Sequence, residues 1–198
     1  MDHNVPFATM QDMRADAQEK RDAIISASRR LFAQEGFDVP FRTIASAADV
    51  GVATVHRHFP DRLGLIQAVA TAFWNEMELI IHKYDNAWEV NAEETFYSIL
   101  CELGALHPLS FAAIGADIIR EHNVELDETN PVFVRGISAI SELVNTAKEH
   151  DLLADDIAPL RFYIGFAIIT REAPGLAEKA MPDYMEWLIQ TYLRGLRP

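Results

Sequence analysis

Apolar residues recur at helical spacing along almost the whole chain, and no segment alternates with the period of two that a half-buried strand requires. Ile24, Ala27, Ser28 and Leu31 fall at i, i+3, i+4 and i+7, with Ile25 and Phe32 beside them. Ile66, Ala70, Phe73, Met77, Ile80 and Tyr84 make a second, longer stripe. The spacing predicts helices over about 20–35, 41–48, 52–58, 62–83, 92–106, 108–122, 132–149, 158–171 and 182–196, an all-α chain of about nine helices. The predicted breaks carry stop or turn residues: Gly36, Asn91, His107-Pro108, the stretch 123–131, Asp151 to Asp156, and Ala173 to Pro182.

The densest punctuation lies between residues 36 and 61. Gly36 stops the first helix, and Asp38-Val39-Pro40 prepares another, proline being tolerated in a first helical turn. Asp49-Val50-Gly51 is a tight turn between two short helices, and Pro60-Asp61 ends the second, with Asp61 as the N-cap of the helix that follows. Two short helices joined by a three-residue turn and braced by a longer helix are the tri-helical form of a helix-turn-helix. Ile44, Ala48, Val50 and Val55 are expected to face inward, and Ala45 is small where the two helices cross. The second short helix then presents Val52, Ala53, Thr54, His56, Arg57 and His58. Small residues at its start allow close approach to a groove, while a hydroxyl, imidazoles and a guanidinium offer donors to phosphates and base edges.

The net charge of −13 is unequally spread. Residues 20–66 hold Lys20, Arg21, Arg29, Arg30, Arg42, Arg57 and Arg62 against Asp22, Glu35, Asp38, Asp49 and Asp61, a local excess of +2. Residues 67–198 carry −12 and residues 1–19 carry −3. Nucleic-acid affinity follows local positive charge rather than the chain total, so only the 20–66 segment suits DNA. Residues 1–19 lack the apolar core of a signal peptide and read as a flexible leader. The longest apolar run, near Ile164 to Ile169, is too short to span a bilayer, and the one cysteine, Cys101, excludes an internal disulfide. The expectation is a cytoplasmic protein with no membrane partner.

The run Ile44-Ala45-Ser46-Ala47-Ala48-Asp49-Val50-Gly51-Val52-Ala53-Thr54-Val55-His56-Arg57-His58-Phe59 resembles the signature of TetR/AcrR-type regulators. The preceding Leu31 to Phe37 and the following Asp61 to Leu65 are similar too, so the resemblance spans about 21–69. It implies that Thr54 contacts a phosphate or a base. His56 stands where the family usually has a phosphate-contacting tyrosine, and His58 and Phe59 occupy the family's own His and Phe. Arg62 replaces the common lysine that reaches the DNA backbone, and Arg42 is a further phosphate contact. Departures are Asp49 for the usual turn glycine, Ala53 for glycine, Pro40 near the usual threonine cap, and His56 itself. An aspartate tolerates the left-handed conformation better than most residues.

The resemblance further implies an effector-binding and dimerisation domain over 67–198, with a two-fold dimer that sets two reading helices on successive major grooves of a palindromic operator. Dimer contacts are expected from Leu160, Ile164, Gly165 and Ile168 on one of the last two helices and Met185, Leu188 and Tyr192 on the other. Candidate effector-lining residues are Phe73, Trp74, Met77, Trp88, Tyr97, Cys101, His107, Phe111 and Phe133, which suit a small apolar or aromatic molecule. His107, His122, His150 and Cys101 have no metal-ligand spacing, and Ser110 near His107 lacks an acid partner or glycine elbow. No cofactor, metal or catalytic centre is expected. The chain therefore reads as a homodimeric, effector-released repressor. The alternative is a ligand-independent DNA-binding module whose C-terminal domain binds a protein partner.

Overall fold

The computed structural model describes residues 10–36, 38–106, 131–171 and 179–198. Those residues form eight helices and no strand: α1 (Met10–Glu35), α2 (Phe41–Ala47), α3 (Val52–His58), α4 (Arg62–His82), α5 (Trp88–Gly104), α6 (Pro131–Glu149), α7 (Pro159–Ile169) and α8 (Tyr184–Leu196). The helix expected over 108–122 lies outside the described residues. The chain divides into two compact units, Met1–Val69 and Ala70–Pro198, with the boundary inside α4.

In the first unit, α1 buries Ile24, Ala27, Ser28 and Phe32 on one face. The Ser28 hydroxyl donates to the Ile24 carbonyl at 2.7 Å, which satisfies the one polar group on that face. Gly36 ends the helix at φ 81° with its N–H on the Phe32 carbonyl. The helix begins at Met10, ten residues ahead of the expected start, so Met10 to Glu19 are helical rather than a flexible leader. Residues 12–19 are exposed and bury no apolar stripe. Local pairs one turn apart support this stretch instead, Lys20 with Asp16 at 2.6 Å and Gln18 with Asp22 at 2.8 Å.

The turn after α2 is closed by two backbone bonds, Asp49 N–H to the Ser46 carbonyl and Val50 N–H to the Ala45 carbonyl. Asp49 stands at φ 53°, so an aspartate supplies the left-handed residue of a Schellman cap. Asp61 caps α4, its Oδ1 accepting the Gly64 N–H at 2.8 Å.

In the second unit, α5 carries the break expected at Asn91, whose φ of −155° and ψ of 87° are not helical. Asn91 Oδ1 accepts the Glu94 N–H at 3.1 Å and so caps the longer part of the helix. A second aspartate, Asp151 at φ 57°, ends α6, with Leu152 N–H reaching back to the Ala147 carbonyl. The core of this unit gathers Phe73 and Met77 of α4, Phe96 and Leu100 of α5, Leu143 and Val144 of α6, Phe162 and Phe166 of α7 and Ile189 of α8. The rings of Phe96, Phe162 and Phe166 stack in sequence at 6.0 and 6.1 Å. Burying each such side chain contributes about 1.5–3 kcal/mol. No helix among the described residues is long and apolar enough to cross a membrane.

Candidate nucleic-acid interface

α2 and α3 bury one face and expose the other. Ile44, Ala45, Val55 and Phe59 are buried, and Ala45 has the small side chain that the crossing of the two helices requires. Ala48 and Val50, also expected inside, are half-buried. On the opposite side, Arg42 of α2 and Val52, Ala53, His56 and Arg57 of α3 are exposed, with Thr54 half-buried beside them. A seven-residue helix with two alanine-sized or branched apolar residues at its start and two cationic-capable residues a turn later is shaped to enter a groove.

Two residues expected on this face are engaged within the unit. Arg62 is half-buried, donates to the Val39 carbonyl at 2.9 Å and lies over the Phe41 ring at 5.2 Å. Its guanidinium therefore ties the start of α4 to the segment before α2. His58 is half-buried, and its Nε2 is enclosed without a hydrogen-bond partner. Burial, with Arg57, Arg21 and Lys20 nearby, pushes the His58 imidazolium below its ordinary pKa of 6.5.

Phe41 carries a role that the sequence reading missed. Its ring packs against His56 at 5.0 Å on one side and under Arg62 on another, so it orients one exposed imidazole. Arg21 lies over Phe59 at 4.5 Å, which places a further cation against the helix-turn-helix. Neither contact has a sequence signal, because each joins residues of different helices.

In the second unit, Phe73, Met77 and Trp88 are buried in the aromatic core, and Trp74, Tyr97 and Cys101 pack half-buried against it. Trp74 meets Phe73 edge-on at 5.2 Å and Tyr163 at 5.8 Å, while Trp88 lies between Phe96 and a stacked His150. Tyr97 accepts a hydrogen bond from Gln190 Nε2 at 3.4 Å. Burial raises the pKa values of Tyr97 and Cys101, keeping both protonated. His107 and Phe111 lie outside the described residues, and Phe133 is described only as a position on α6.

The seven residues expected at a dimer contact separate into an exposed row, an inward set and one half-buried residue. Leu160, Ile164 and Ile168 form an exposed row on α7, 46 %, 50 % and 52 % accessible. Gly165, Met185 and Tyr192 are instead taken up inside the protomer. Tyr192 donates to the Phe162 carbonyl at 2.8 Å and its ring fills the space a side chain at Gly165 would need, and Met185 packs on the core. Leu188 is half-buried. Trp187, 55 % accessible on α8, is the large apolar side chain of that helix left exposed, and the sequence reading passed over it. α8 carries two apolar stripes, and periodicity alone does not say which of them the fold turns inward.

Residues 24–69 match the sequence family of bacterial regulatory proteins described as the tetR family. Two curated relatives align over part of the chain. An HTH-type transcriptional repressor, KstR of Mycolicibacterium smegmatis, is 33 % identical over 86 residues, 42 % of this chain and 41 % of the relative. An HTH-type transcriptional regulator of Staphylococcus aureus is 32 % identical over 83 residues, 39 % of this chain and 45 % of the relative. The chain thus spans less than half the length of the curated relatives it matches. The fold is shared more widely. A TetR transcriptional regulator of Streptomyces coelicolor superimposes with a TM-score of 0.63 at 23 % identity, over 90 % of this chain and 98 % of the other. A TetR family regulator of Marinobacter aquaeolei gives 0.64 at 18 % identity, over 93 % and 99 %.

Proposed function

We propose that this chain, a member of the tetR family of bacterial regulatory proteins through its residues 24–69, is a homodimeric repressor that a small apolar or aromatic effector releases from a palindromic operator. The observation that carries the reading is the outer face of α2 and α3. Arg42 and Arg57 are exposed there with no carboxylate partner among the described residues, beside exposed His56 and the small residues Val52 and Ala53. Cations without internal partners on a groove-sized helix are available to phosphates and base edges.

Two features support dimerisation, the spacing of major grooves on DNA and the exposed apolar row. One short helix reads too few base pairs for specificity, and two must lie about 34 Å apart to meet successive major grooves. Leu160, Ile164 and Ile168 with Trp187 supply an apolar surface for a second copy. An effector that binds more tightly to a conformation with a different spacing shifts the population off DNA. The setting is the cytoplasm, where the operator is.

DNA selected from a random pool by the full-length protein provides the operator for the test. Thr54→Ala together with Arg57→Ala is expected to abolish preference for the selected sequence over random duplex while the fold persists. Specific binding that survives the pair of substitutions overturns the assignment.

A further inference from the structure

Between α5 and α8 lies an open groove of about 440 Å³, apart from the aromatic cluster around Phe73 and Trp74. That volume is within the range of about 300–1,000 Å³ that suits small ligands. Phe96, Leu152 and Leu193 give it an apolar wall, with the Tyr97 ring and the Gln190 amide at one end. Four charged residues also line it, and three of them are engaged. Glu93 holds Arg197 in an ion pair. Glu94 accepts from Asn91 Nδ2 at 2.9 Å as part of the cap of α5. Arg194 lines the same groove and has no hydrogen-bond or ion-pair partner among the described residues.

We infer that this groove binds a small apolar monocarboxylate, the carboxylate on the Arg194 guanidinium and the apolar body against Leu152, Leu193 and Phe96. The guanidinium fork matches a carboxylate with two parallel hydrogen bonds. Burial of the ligand body against the half-exposed Leu152 and Leu193, with the Phe96 ring behind them, supplies the remaining affinity. Glu94 on the α5 wall, hydrogen-bonded to a neutral amide rather than paired with a cation, opposes a second negative charge, so the groove disfavours dicarboxylates and phosphate esters. The site requires nothing of the DNA-binding unit, so its success or failure is separate from that of the regulator reading.

Titration calorimetry of the full-length protein with 3-phenylpropanoate, 3-phenylpropanamide and phenethylammonium tests the inference. The carboxylate is expected to bind at least tenfold more tightly than the amide, and Arg194→Gln is expected to remove that preference. Arg194 is exposed, so this variant keeps its fold, which its unfolding temperature verifies. Leu152→Asn is expected to weaken the carboxylate and the amide alike. Equal affinity for carboxylate and amide, preference for the ammonium, no heat with any probe, or full affinity in Arg194→Gln each overturn the inference.

Discussion

Gly136 of α6 lies against the indole of Trp74, so close that a methyl group at residue 136 would stand 2.5 Å from Cε2 and Cζ2 of the ring. The glycine is there for the contact between two helices, not for a backbone conformation. Gly136→Ala must displace the indole, which is itself held edge-on by Phe73 and packed at a tilt against Tyr163. The expected loss is about 1–3 kcal/mol, the usual range for overpacking. For a chain of this size that lowers the unfolding temperature by roughly 2–4 °C per kcal/mol. In a Trp74→Leu background the same substitution is expected to cost clearly less, and that double-mutant difference isolates the contact. Equal costs in both backgrounds would disprove the coupling.

Asp49 offers the opposite sign. Its φ of 53° is a conformation that glycine adopts freely and most L residues resist. The two backbone bonds of the cap come from main-chain groups, so they survive a change of side chain. Asp49→Gly is expected to raise stability by up to about 1 kcal/mol, the strain relieved less the greater backbone entropy of glycine in the unfolded chain. Thermal unfolding measures it, and a lowered midpoint would mean that the aspartate side chain contributes more than its backbone geometry costs.

His58 predicts a pH dependence whose direction follows from its lowered pKa. Burial, followed by Arg57, Arg21 and Lys20, holds the folded imidazole neutral where the unfolded one, at 6.5, takes up a proton. The unfolded state therefore binds more protons below that value, and stability falls as pH falls through it. His58→Gln removes the titration. Urea midpoints at pH 7.5 and 5.5 are expected to separate more in the wild type than in the variant. Parallel changes in the two proteins would show that other groups carry the acid sensitivity.

What the sequence made legible is mostly what neighbouring residues decide. The Asp49 turn, the Asp61 cap and the break at Asn91 each depend on a residue's own torsions and on partners within a few positions, and each lies where the sequence reading expected it. The start of α1 was not legible, because residues 12–19 bury no stripe and are stabilised by pairs such as Lys20 with Asp16 that leave no apolar period. Arg62 and His58 share a sequence pattern with surface cations, yet Arg62 is drawn inward by the Val39 carbonyl and the Phe41 ring, and His58 is half-buried. Tertiary contacts between distant positions decided those side chains, and periodicity carries no record of them.

The same distinction separates the two apolar stripes of the last helices, and it yields the sharpest prediction about assembly. Ile164 and Trp187 are about half exposed and hold up nothing inside the protomer that a polar side chain would destroy. Tyr192 is tied to the Phe162 carbonyl and packed where Gly165 leaves room. Ile164→Glu and Trp187→Glu are therefore expected to lower the mass seen in sedimentation to that of one chain, with little change in unfolding at matched protomer concentration beyond the loss of association. Tyr192→Phe is expected to do the reverse. It removes one hydrogen bond, worth about 0.5–1.5 kcal/mol, from within the protomer and leaves the association state unchanged. If Tyr192→Phe dissociates the assembly while Ile164→Glu does not, the contact between copies uses the stripe that this fold turns inward, and the exposed row on α7 has another purpose.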